Sequence, residues 1–196
     1  MKRALACVLL SIVCLSTAMG QRRHEPLTSL EIDELRDARM EPENRIKLLV
    51  KFTQARMDAM VALSKDPKLS EKSEQLNQML DDIATLVDEI DDNLNDYNKS
   101  YEDLRKPLRA LIVAETDFQA KLTALKESSA AKLPMVSLTV ANAMESVDGS
   151  LESARAMLED QMAKKGKEAP EKKSKKKERP DDSAAKNTSE QGPPKN

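Results

Sequence analysis

Nine residues between Leu76 and Leu104 recur at alternating spacings of four and three: Leu76, Leu80, Ile83, Val87, Ile90, Leu94, Tyr97, Tyr101 and Leu104. The spacing averages the heptad period of about 3.5 residues, so one helix from about 70 to 105 carries an unbroken apolar seam. Such a seam cannot face water. It demands other helices lying lengthwise against it, and these nine positions form the predicted interaction seam. At ~1.5 Å per residue the helix would be roughly 50 Å long.

The flanking segments supply the partners. Thr28 and Glu31 have the spacing of a capping box, followed on one face by Leu30, Leu35 and Ala38, which predicts a short helix ending near Met40. Pro42 suits the first turn of a second helix, 43–65, burying Ile46, Leu49, Val50, Met57, Met60 and Val61. Asp66, Pro67 and Lys68 form a turn, and Ser70 is placed to cap the seam helix. Pro107 either ends that helix or kinks it. Leu108, Leu111, Phe118, Leu122 and Leu125 continue a stripe in a fourth helix, with Ala114 beside the gap that Glu115 leaves. Ala110, Ala114, Ala120 and Ala124 would let a neighbouring helix approach closely. After Pro134 a fifth helix, 135–163, presents Val140, Met144, Val147, Leu151, Ala154 and Leu158, and Gly149 weakens its middle by about 1 kcal/mol relative to alanine.

No window shows the two-residue alternation of a half-buried strand, and the connections are short enough to join antiparallel neighbours. The expected fold is all-α: an elongated up-and-down antiparallel helical bundle of three to four long helices with coiled-coil-like packing and a disordered basic C-terminal tail. The expected divisions are a signal peptide at 1–20, an N-terminal segment with a short helix at 21–42, the bundle at 43–163 and the tail at 164–196.

The signal peptide rests on Lys2 and Arg3, an apolar run from Ala4 to Met19 too short to span a bilayer, and small residues near its end. A cut after Gly20 leaves Gln21 as the mature N-terminus; a cut after Ala18, or acylation at Cys14, are the alternatives. Both cysteines, Cys7 and Cys14, fall in the segment removed, so an exported mature chain has no thiol and holds its fold by packing alone. The expected location is periplasmic or extracellular.

Charge is uneven. Residues 21–162 hold 19 basic and 28 acidic residues, a balance of −9, and residues 163–196 hold 11 and 6, a balance of +5. Past Lys164 no large apolar residue remains, which is the composition of a disordered tail. Its run Lys172, Lys173, Lys175, Lys176, Lys177 and Arg179 is an anion-binding candidate, suited to weak contact with anionic envelope polymers or lipid headgroups. No aromatic side chain accompanies it to stack on bases, so nucleic acid is not an expected partner.

Chemistry is sparse elsewhere. Asp91, Asn93, Asn95 and Glu102 have the spacing of calcium-loop ligands, but Asp96 stands where such a loop needs glycine and the seam runs straight through. A solvated helix face is the better reading. The methionines read as core filler rather than a copper site, and His24, the one histidine, as an ordinary exposed residue. Asn98 and Asn187 open glycosylation sequons. There is no nucleophile–base pair, phosphate loop or metal-binding motif. No catalytic, cofactor-binding or metal residue is expected, nor a small-molecule substrate.

Leu27-Thr28-Ser29-Leu30-Glu31 resembles, with Glu31 in place of glutamine, the LTxxQ signature of small all-helical periplasmic stress chaperones of the Spy/CpxP type. Leu69-Ser70-Glu71-Lys72-Ser73 is a poorer second copy. The resemblance covers five residues and implies a chaperone that shelters unfolded clients. The residues themselves favour a different role: an exported, non-catalytic helical protein acting by association with a protein partner or a second copy, or as an envelope scaffold.

Overall fold

The computed structural model describes the backbone of residues 24–100 and 102–175, with side chains through 164. The signal peptide, Tyr101 and Lys176, Lys177 and Arg179 of the basic run lie outside the described residues.

Among the described residues five α-helices pack against one another: α1 (Ser29–Asp37), α2 (Pro42–Ser64), α3 (Ser73–Lys99), α4 (Arg105–Glu127) and α5 (Val136–Lys175). No strand occurs among the described residues, and no helix there is long and apolar enough to cross a membrane. The capping box forms as the spacing predicts. Thr28 Oγ1 accepts from the Glu31 amide at 3.3 Å, and Glu31 Oε2 accepts from the Thr28 amide at 2.8 Å. Pro42 occupies the first turn of α2, where its missing N–H costs nothing.

Four details of the helix boundaries differ from expectation. The seam helix ends at Lys99 rather than near 105, and Leu104, beyond its end, is still buried in the core. A periodic stripe that continues on both sides of a break conceals the break. Pro107 neither kinks nor ends a rod: it is buried in the first turn of α4, which starts at Arg105, after α3 has ended at Lys99. Ser70 caps nothing, because a 3₁₀ turn at Leu69–Lys72 precedes α3, which starts after Lys72 without a side-chain cap. At the other end, α5 stays helical to Lys175, past the expected end at 163. Losing apolar residues removes a core, but lysine, glutamate and alanine remain good helix formers.

Long-range hydrogen bonds give the helix directions. Asn77 meets Thr139 and Asn98 meets Gln161, so α3 and α5 are neighbours running the same way. Lys121 reaches Asp58 and Lys106 reaches Glu43, so α2 and α4 are also parallel neighbours. α2 and α3 run oppositely, as do α4 and α5, where Gln119 meets Asp148 and Arg109 meets Met162. α3 and α4, consecutive in sequence, therefore lie diagonally opposite one another.

The core is two apolar clusters. One gathers Met57, Met60, Leu76, Leu80, Ile83, Phe118, Leu122, Val140 and Val147; the other Ile46, Leu49, Phe52, Ile90, Leu94, Leu108, Leu111 and Ala154. Along each long helix one cluster gives way to the other, and on α3 they meet at Leu86 and Val87.

Candidate functional site

The seam is used inside the molecule. Leu76, Leu80, Ile83, Val87, Ile90 and Leu94 are buried among the chain's own helices, and Tyr97 is half-buried at the end of α3. Of the alanines expected to admit a close neighbour, Ala110, Ala120 and Ala124 face outward on α4 with Val113, and Ala114 is half-buried. Among the described residues no helix lies on that outer face.

Between the two clusters lies a layer that the stripe pattern missed. Glu115 and Ser150 are fully buried, one on α4 between Leu111 and Phe118, the other on α5 between Val147 and Ala154. Ser150 Oγ lies 2.5 Å from Glu115 Oε1 and 2.7 Å from Oδ1 of half-buried Asp91 on α3. Thr53 supplies the fourth helix's polar residue, its hydroxyl donating to the Leu49 carbonyl at 2.9 Å. Glu115 Oε2 is the one buried side-chain polar atom without a hydrogen-bond partner among the described residues. Burial, only partly offset by the Ser150 contact, pushes the Glu115 carboxyl up to about 7, and Asp91 adds to the rise while Arg155 opposes it. Burial also raises Asp91, with Asp88 and Asp92 adding like charge. The register 111–115–118–122 was the available signal: it places Glu115 in the core stripe whatever its polarity.

The N-terminal arm forms a second polar region. Arg56 of α2 grips Glu31 with two bonds of 2.8 and 2.6 Å and also donates to the Pro26 carbonyl at 2.8 Å. Those bonds, chiefly that from Arg56, lower the Glu31 pKa. Arg45 ties the far end of α1, donating to the Leu35 carbonyl at 2.8 Å and to Asn93 and Glu89 of α3. A groove of about 750 Å³ opens between α1 and α3, lined in part by Leu27, Ile32, Arg36, Arg39 and Tyr97.

The remaining candidates are dispersed. Asp91, Asn93 and Asn95 lie within α3, with Asn93 held by Arg45 and Asp91 by Ser150, while Glu102 lies beyond the helix end. No group of three or more His, Cys, Asp or Glu suited to a metal ion occurs among the described residues. His24 sits 3.4 Å from Asp82. Met57 and Met60 are in the core, whereas Met40, Met135 and Met162 are exposed at separate places. Lys172, Lys173 and Lys175 fall on the last stretch of α5. No protein-family model, curated protein or solved structure matches the chain.

Proposed function

We propose that this chain is an exported, non-catalytic helical protein that works by helix-mediated association, with a protein partner or a second copy, in the cell envelope. The reading takes the helices as an up-and-down bundle with coiled-coil-like packing. One observation carries it: α4 turns Ala110, Val113, Ala120 and Ala124 outward, and short side chains allow a second helix to approach closely. Export rests on Lys2, Arg3 and the apolar run after them. The basic run from Lys172 to Arg179 is suited to hold the molecule loosely near anionic polymers or headgroups.

Light scattering of the purified chain tests the reading. The expected result is a dimer or larger species that reverts to monomer on Val113→Asp, with helical dichroism unchanged. The competing reading is a Spy/CpxP-like holdase, favoured by the groove beside the Leu27–Glu31 segment. It predicts a monomer that suppresses aggregation of an unfolded test protein. A monomer without that activity would sink both.

A further inference from the structure

We infer that the Asp91–Ser150–Glu115 layer is a built-in proton-binding site, which clasps α3, α4 and α5 together when it holds its proton and loosens them when the proton leaves. The geometry requires a proton beyond the one on serine. Ser150 has a single hydroxyl hydrogen, yet its oxygen lies within hydrogen-bond distance of two carboxyl oxygens. With both carboxylates ionised, one of those contacts sets lone pair against lone pair. With one extra proton on Glu115 Oε1, both are satisfied: Glu115 donates to Ser150 Oγ, and Ser150 donates to Asp91 Oδ1.

The proton belongs on Glu115 rather than Asp91. Glu115 is fully buried and its Oε2 has no donor, so ionisation would leave an unsolvated anionic oxygen in the core. Asp91 is half-buried and keeps a route to water. The groups around the site are few. From α3 come Asp91, with Asp88 and Asp92 behind it, and from α5 Ser150 and the exposed Arg155. At the same level α2 presents Thr53, whose hydroxyl is already bonded to its own helix. On α4 itself, Asp117 points outward and pairs with Lys121. Against burial stand only the Ser150 hydroxyl, whose single hydrogen cannot serve both carboxyls, and Arg155, which lies at the surface.

Loss of the proton therefore breaks one contact of the chain Glu115–Ser150–Asp91 and sets two negative charges on opposite sides of one serine. The helices must separate there or admit water. This inference is independent of the association reading, because its measurements follow one chain's own protons and stability.

Carboxyl ¹³C NMR of the full chain reads the site directly. Glu115 is expected to remain protonated at pH 5.5 and to titrate near neutrality; a carboxylate shift at pH 5.5 would overturn the proposal. Thermal unfolding gives the second readout. Between pH 5 and 8 the folding equilibrium constant should fall roughly a hundredfold, and Glu115→Gln should remove most of that fall. An equal fall in the variant would also overturn it. Should Glu115→Gln fail to fold, the titration of the unaltered chain still decides.

Discussion

Glu31 and Glu115 carry the same carboxyl group into two regions of this molecule and emerge with opposite affinities for a proton. In the N-terminal arm, Glu31 meets two guanidinium N–H groups of Arg56 and the Thr28 amide, and its pKa is lowered. In the core, Glu115 meets one serine hydroxyl at Oε1 while its own Oε2 has no partner, and its pKa rises to about 7. Glu31 is only partly buried, whereas Glu115 is fully buried. Two things separate them: the depth of burial, which comes first for Glu115, and the supply of donors, which outweighs the partial burial of Glu31.

The linkage signs follow. Glu31 contributes stability above its unfolded value of about 4.5, and that contribution is lost as pH falls through its lower folded value. Glu115 contributes fully below about 4.5, and its contribution is lost as pH rises through about 7. Acid should therefore loosen the arm, and alkali the layer between the clusters.

The largest expected effect comes from removing the wall beside Glu115. Phe118→Ala deletes a fully buried ring one turn away and should cost about 3–5 kcal/mol. The cavity should also admit water, so the Glu115 titration moves down from about 7; an unmoved midpoint would mean that solvent exclusion does not hold the proton. Next, Glu115→Met keeps the volume and removes the charge. It should gain about 2–3 kcal/mol at pH 8 and much less at pH 4.5, read from urea unfolding at both values. Equal gains would erase the distinction drawn from burial.

Arg56→Gln attacks the other side of the comparison. It withdraws the donors that hold Glu31 ionised and should cost about 1–2 kcal/mol, confined to the arm. Amide exchange in Ser29–Asp37 should quicken while that of Arg105–Glu127 stays as it was. The smallest effect is a control. A Cβ on Gly149 would meet nothing within 4 Å, so Gly149→Ala should gain about 1 kcal/mol and leave the slope of stability against pH unaltered. A changed slope would show that the slope reports general stability rather than one proton.

Much of the architecture was legible because apolar spacing is a direct record of which side of a helix is covered. Leu76 to Leu94, Leu108 to Leu125 and Val140 to Ala154 all follow that record. It failed where a buried position is polar: Glu115 and Ser150 sit in register with the core but read as interruptions of the stripe. It failed again beyond Lys99, where Leu104 keeps the rhythm after the helix has stopped. The outward alanines of α4 have no spacing signal that assigns them a neighbour. The Thr28–Glu31 segment was visible as a cap, but not the role of its charge. A glutamine at 31 could complete the capping box, whereas only a carboxylate can also pair ionically with Arg56.

Gln161 has a consequence of its own. Its amide accepts from the Leu104 N–H at 2.9 Å and donates to the Glu102 carbonyl at 3.0 Å, standing in for the ladder that the gap between α3 and α4 lacks. A protease nick at exposed Glu102 or Asp103 would sever the peptide without freeing the pieces, since the apolar core spans both halves and a side chain of α5 bridges the cut. The two fragments should travel together through a gel filtration column, and Gln161→Ala should let the nicked ends fray.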